Sequence, residues 1–396
     1  FRIMTAVFTN RARLVNAEQL RELRRSCLAE KNLSPVCSTA PLEVWNSIAG
    51  LLLENGFSLA RLAACFEFWK PGLQPEKAFE RMIESLENLR VRLFLNPALA
   101  AGNSETDPGW ETRLPEFYRE MYEELGIILP GFALETEKAL PVETFRLQFN
   151  DLWLPVPADL DAIARTQILH WVKHWIRRCA GWFVNTELVN AQLDLLEADN
   201  RSLIVMIREQ WPAYRLCAIF RRLLSEQVGI RNLAEVLDVL LRIDGPLPVD
   251  DTAFMPYFPP VSRVVVVPPG AAAAEFTDAQ LAGQVRANLK FPVVFPYMKG
   301  GVFPCYTFDS DLLRDFREGF FRENTPRPGN ALYRLLQLVY VQTGADLTPP
   351  VFLTPAGIRP EVQAVLRPYF PELAVIGHEE VPPFFVPSVQ ASLTLP

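Results

Sequence analysis

The sequence predicts a helix-rich α+β protein of several small subdomains, two mainly helical and two mixed α/β, with no transmembrane segment. Three observations predict it. Apolar residues recur at three- and four-residue steps through most of residues 1–95 and again from about Asp159 to Ile243, the period of helices with one buried face. Short alternating or wholly apolar runs, among them Thr144–Phe149, Val261–Val267 and Val351–Thr354, break that pattern and read as strands. No uninterrupted apolar run reaches the roughly 18 residues needed to cross a bilayer, and no signal-peptide pattern opens the chain.

In order, Glu18–Leu28, Leu42–Asn55, Ser58–Trp69 and Pro75–Leu95 are expected helices, with Ser58 an N-cap and Gly56 a left-handed residue closing the helix before it. They make a helical N-terminal module, residues 1–95. The stretch NPALAAGNSETDP, residues 96–108, is small, polar and proline-bounded, and is expected to be a linker. A small α/β subdomain, 109–160, follows: a helix Leu114–Leu125 stopping at Gly126, then strand-like Ile127–Leu129 and Thr144–Phe149. Residues 161–244 form a helical subdomain with a Trp-Pro break at Trp211–Pro212. A C-terminal α/β subdomain, 245–396, is expected to hold the buried strand Val261–Val267 and a helix Thr277–Leu289. A hairpin turning at Lys299–Gly301, helices near Asp309–Phe321 and Ala331–Val341, and a closing strand–helix–strand unit from Val351 complete it. The stretch Pro41–Lys70 can be laid on Pro212–Leu241 without a gap, and Val15-Asn16-x-Glu18 echoes Val184-Asn185-x-Glu187. A duplicated helical module and a chance echo between amphipathic helices are both open readings.

With 396 residues, 49% of them hydrophobic, the chain has ample apolar material for several cores. Its net charge of −7 gives no general attraction to nucleic acid or anionic membrane. Six scattered cysteines without a Cys-x-x-Cys pair fit neither a zinc ribbon nor a disulfide scaffold, and are expected to be buried thiols. The 34 prolines exceed the ~5% of ordinary usage and are expected to stiffen loop edges. Because the chain starts at Phe1 rather than an initiator Met, it reads as a fragment or a processed form.

Little in the sequence suggests a reaction. His170 and His174 lie four apart in HWVKHW and share a helix face, but Trp171 stands where the Glu of a zinc-protease motif belongs and His378 is remote. No phosphate-binding glycine loop, serine elbow or Cys/His signature is present, and Gly300–Gly301 reads as a turn. The acidic pairs Glu123–Glu124, Asp250–Asp251 and Glu379–Glu380 read as solvated charge. The reading is therefore no enzyme, with no catalytic residue, metal site or cofactor. Two proline-stiffened aromatic loops, holding Phe254, Tyr257 and Phe258 and then Phe384 and Phe385, either cap core edges or form a docking surface for a partner.

Four stretches, in order, resemble the export-gate family (FHIPEP) of flagellar and virulence type III secretion machines. WETRLPEFYREMYEELGIILP (110–130) resembles the family's first cytoplasmic subdomain, and RLCAIFRRLLSEQVGIRNLAEVLDVLLRI (215–243) its helical third subdomain, with Gly229 in place of the usual Ser. FPCYTFDSDLLRDFREG (303–319) and the stretch from Val351 to Pro383 resemble its fourth. The resemblance implies docking of chaperone–substrate complexes, a gatekeeper and other export components, with no nucleic acid. It further implies copies associating side by side into a ring, in the bacterial cytoplasm and at the inner membrane if tethered there. Arg231, in the Ile-Arg-x-Leu turn, is the candidate oligomer-interface residue; Ile230 and Leu233 are expected to pack inward on one helical face while Arg231 pairs with an acidic residue. Three departures stand: no membrane-spanning half, a short stretch between Phe149 and Ile168, and residues 1–95, which have no place in the family's order. The competing reading is a soluble monomeric adaptor or gatekeeper-like regulator of secretion, with residues 1–95 and 161–243 as two helical modules.

Overall fold

The computed structural model describes residues 15–29, 39–55, 57–84, 91–101, 109–141, 144–156, 165–243, 276–321, 326–327, 329–343, 351–370 and 373–395. Gly56, the strand expected at Val261–Val267 and the loop residues Phe254, Tyr257 and Phe258 lie outside them. The chain divides into two compact units, one of residues 1–225 with 229–233, the other of 226–228 with 234–396.

In the first unit, helices Ala17–Ala29, Leu42–Glu54, Leu62–Phe68 and Pro75–Glu84 enclose their own core around Trp45, Phe57, Phe66 and Phe79. Ser58 caps as expected, its side chain accepting from the Ala60 amide. The helix expected to run to Leu95 instead ends at Glu84, and Val91–Leu95 is strand β1. Its alternation is clean, with Val91, Leu93 and Leu95 fully buried and Arg92 and Phe94 on the other face. The four-stranded sheet has the order β2-β1-β3-β4, with β2 at Phe132–Thr136, β3 at Phe145–Phe149 and β4 at Leu152–Leu154. β1 runs parallel to β2 and antiparallel to β3. Residues 91–95 therefore complete the α/β subdomain, and the expected linker carries a short helix, Pro97–Ala101.

Ile127 and Leu129 are buried without joining a ladder. Pro130 has no amide to donate, so pairing starts only at Phe132, whose amide donates to the Tyr118 hydroxyl at 2.8 Å. The helix Trp110–Leu125 ends at Gly126 in the left-handed region, φ 75°. Helices Arg165–Cys179, Thr186–Gln210 and Ala213–Ser225 follow, the last two separated at Trp211–Pro212 as expected.

In the second unit, β6 (Val351–Thr354), the helix Arg359–Leu366 and β7 (Ala374–Gly377) form the expected strand–helix–strand unit, its strands parallel. With β5 (Phe303–Phe308) and β8 (Pro387–Leu393) they make an all-parallel sheet of order β7-β6-β5-β8. The Thr277–Leu289 helix starts on a full capping box between Thr277 and Gln280, and Asp309 caps the helix Ser310–Arg317. The expected hairpin is not formed. Its first arm is a helical turn, Phe291–Val294, followed by a 3-10 turn, Phe295–Tyr297, and only a Lys299–Val302 bridge remains of the turn. Pro292 and Pro296 sit in the first turns of these helices, where a missing amide costs nothing; in a strand each would remove a ladder bond.

Candidate functional site

The Ile-Arg turn is held by main chain. At Gly126 an added Cβ would stand well inside 3.0 Å of the main-chain atoms of Ile230 and Arg231, and at Gly229 inside 3.0 Å of the Glu124 carbonyl oxygen. Two glycines thus let the turn 229–231 lie directly on the end of the helix Trp110–Leu125. The Ile230 amide donates to the Leu125 carbonyl at 2.8 Å, and buried Gln192 donates through Nε2 to the Gly126 carbonyl at 2.6 Å. Close approach accounts for Gly229, where a Ser side chain would meet the Glu124 carbonyl.

Ile230 and Leu233 are buried, as expected, but Ile230 belongs to the turn; the helix begins only at Leu233. Arg231 is exposed, and its Nη1 reaches the Glu123 carbonyl at 3.5 Å, a main-chain oxygen where an acidic side chain was expected. Beside it, Glu124 is bound by Arg177 through two contacts, at 2.6 and 2.8 Å.

Phe384 and Phe385 belong to a larger aromatic patch in the second unit. Their ring centroids are 4.7 Å apart, Phe385 meets Phe291 at 5.9 Å, and Phe291 stacks on Phe295 at 4.8 Å. Phe384 is 70% exposed and Val386 75%, with Phe295 of the neighbouring turn 57% exposed, while Phe385 is half-buried. Sequence reasoning missed Phe291 and Phe295 by placing them in a hairpin arm. Their four-residue spacing, with a proline after each, was the available signal of one helical face.

The second unit holds a buried charge network, and Glu380, expected to be solvated charge, is part of it and almost wholly buried. Arg286 holds Glu380 through both carboxylate oxygens, at 2.8 and 2.9 Å, and Glu226 at 3.1 Å. Arg359 reaches Glu226 at 2.8 Å and Glu380 at 3.5 Å. All four side chains are almost wholly buried, two of each sign, so the set is neutral as a whole. The Gly377 amide also donates to Glu380 at 2.9 Å, which ties the network to the end of β7. Next to it, burial pushes the Glu379 carboxyl up to about 7, with the Glu380 charge acting in the same direction.

His170 is exposed and His174 is partly buried, packed edge-on to Trp171 and Trp175. Burial, and then the nearby charges of Arg178, His170 and Arg177, lower His174 to about 3, which keeps it neutral at physiological pH. Among the described residues no group of three or more His, Cys, Asp or Glu side chains is placed to hold a metal ion, and no helix is long and apolar enough to cross a membrane.

No protein-family model matches the sequence. The low calcium response locus protein D of Yersinia pestis is 20% identical over 233 residues, 57% of this chain and 29% of that protein. The hypersensitivity response secretion protein HrcV of Ralstonia nicotianae is 24% identical over 197 residues, 38% of this chain and 28% of that protein. The chain thus spans less than a third of the length of these curated relatives. Among solved structures, the Chlamydia pneumoniae CdsV protein matches 78% of this chain and 98% of its own at TM-score 0.58 and 17% identity. CdsV in complex with CdsO gives 0.60 with the same coverages at 18% identity. The nonameric SctV-C of EPEC gives 0.54 at 15% identity, covering 77% and 98%. These relatives are type III secretion export-gate proteins and these structures are their cytoplasmic C-terminal domains, so the resemblance read from the sequence holds and the fold is theirs.

Proposed function

We propose that the chain is the cytoplasmic portion of an export gate of a type III protein secretion system, a docking platform that works by binding and carries out no reaction. One observation supports this reading: about three quarters of the chain has the fold of solved export-gate domains, among them one in a nonameric ring. Copies would associate side by side, with Arg231 on the contact surface. Chaperone–substrate complexes, a gatekeeper and other export components would dock on exposed apolar surface, with Phe384 and Phe385 as contact residues in the described patch and Phe254, Tyr257 and Phe258 in the other loop. The place of work is the bacterial cytoplasm, at the face of the inner membrane where a membrane domain tethers the gate.

The exposed patch supports docking because monomeric proteins rarely leave contiguous aromatic surface in water. The mechanism is coupling by binding energy: each partner favours one placement of rigid subdomains and thereby selects the cargo that proceeds. The Arg231→Glu variant is the test of the ring. It should weaken self-association in light scattering at high concentration, while the thermal midpoint stays nearly unchanged because Arg231 is exposed and weakly bonded. Equal self-association of variant and parent would remove Arg231 from the contact. A parent monomeric at every concentration would favour the adaptor reading, which has its own support in the way residues 15–84 pack into the first unit.

A further inference from the structure

Residues 15–69 echo the helical stretch of residues 184–240. Asn16 and Asn185, each preceded by Val, open a helix by accepting main-chain amides at 2.8 and 2.7 Å. Pro41 and Pro212 then precede helices of the same length, 13 residues, Leu42–Glu54 and Ala213–Ser225. Buried side chains fall at the fourth, seventh, eighth, eleventh and twelfth positions of both. The next helices start at Leu62 and Leu233, equally distant from the first, and bury the same three positions. The central helices agree in start, length and burial register, which amphipathic period alone does not fix, while the opening helices differ in length, 13 residues against 25.

Both copies use the corresponding turn to dock onto the α/β subdomain. The second copy sets residues 229–231 against Gly126. The first sets its turn against the β3–β4 loop. Arg61 grips the Asp151 carboxylate with Nε and, at 2.8 Å, with Nη2, while Asn150 Nδ2 donates to the Asn55 carbonyl at 3.4 Å. Asn150 holds φ 51°, a conformation that Asn tolerates better than other non-glycine residues, and it presents Asp151 at the tip. Away from the turn the docking is also charged, with Glu80 against Arg221. Among the described residues, the buried core cluster of this module is made of residues 20–83, with Arg221 lying over the ring of Phe79. A module with a private core and a polar, ion-paired seat has the character of a separable domain, whose seat resembles a transient interface.

We propose that residues 15–83 are an exchangeable docking arm: they plug the β3–β4 turn of their own chain and plug the same turn of a second copy when copies are crowded. The ring reading contributes only the identity of the alternative host, so Arg231 tests that reading and a different pair tests this one. In the Arg61→Glu variant the arm carries the wrong charge for its own Asp151; in Asp151→Arg the seat carries the wrong charge for its own Arg61. In each variant the arm loses the ion pair to its own seat and meets a like charge there. Mixed together, each arm matches the other chain's seat, so the arms exchange reciprocally.

The experiment uses the full chain, as Arg61→Glu, Asp151→Arg, their equimolar mixture and the double variant. Light scattering should show heterodimer in the mixture at concentrations about ten-fold below those at which either variant alone associates, with the double variant returning to parent behaviour. Hydrogen exchange at Asn150–Asp151 should rise in each single variant and fall on mixing. A mixture no more associated than its components, with exchange raised in both, overturns the exchangeable arm. Exchange equal to the parent in both single variants overturns it too, since the ion pair then does not hold the seat.

Discussion

Replacing Gly126 by Ala tests whether the Ile-Arg turn is positioned by main-chain contact. The residue sits at φ 75°, where a Cβ costs about 1–2 kcal/mol. The greater cost arises outside the residue. The added carbon would stand within 3.0 Å of Arg231 N, Arg231 Cα and the Ile230 carbonyl carbon, all main chain, so no side chain can swing away to make room. The turn must lift, which breaks the Ile230–Leu125 hydrogen bond, worth about 1 kcal/mol. It also exposes part of the fully buried Ile230, whose complete burial is worth about 1.5–3 kcal/mol. The expected sum is about 3–5 kcal/mol. Gly72 supplies the control, with φ 84° and nothing within 4 Å of its added carbon, so Gly72→Ala should cost only the conformational part, about 1–2 kcal/mol. Urea unfolding followed by tryptophan fluorescence gives both values, and hydrogen exchange at the Ile230 amide reports the turn itself. A Gly126→Ala cost no greater than that of Gly72→Ala would refute main-chain positioning of the turn.

Two further predictions concern the second unit. The folded state holds a proton on Glu379 up to about 7, whereas the unfolded chain releases it near 4.5; the stability this group contributes is complete below 4.5 and lost as pH rises through 7. Glu379→Gln should therefore raise stability by about 1–3 kcal/mol at pH 8 and leave it unchanged at pH 4, and thermal melts giving the same gain at both values would sink the assignment. Replacing Arg359 with Met leaves two buried carboxylates on one guanidinium and should cost about 3–5 kcal/mol. Adding Glu226→Gln should recover part of that loss in a double-mutant cycle, and strictly additive losses would show that the two groups are not coupled.

Elements whose hydrogen bonds close within a few residues were legible. The Thr277–Gln280 capping box, Ser58 at the head of its helix, Gly126 at the end of its own and the strand–helix–strand unit from Val351 each announce themselves through local spacing. The echo between Pro41–Lys70 and Pro212–Leu241 was visible too, as a gapless overlay. The first arm of the supposed hairpin misled because an apolar run of helical length and one of strand length look alike, and only its two prolines argued for the helix.

By itself, then, the sequence determined where most of these helices start and stop and the family the chain resembles. Those are properties of bonds between near neighbours and of apolar period. Tertiary structure decided the rest: that Val91–Leu95 leaves the helical module to pair with strands some 40 and 50 residues later, that Arg61 meets Asp151, that Glu226, Arg286, Arg359 and Glu380 neutralise one another in a single buried site, and that Phe291 and Phe295 join Phe384 and Phe385. No local pattern encodes such meetings. A charge or a ring is chosen for the partner that folding brings to it, and two chains with the same period at each residue would bury different pairs.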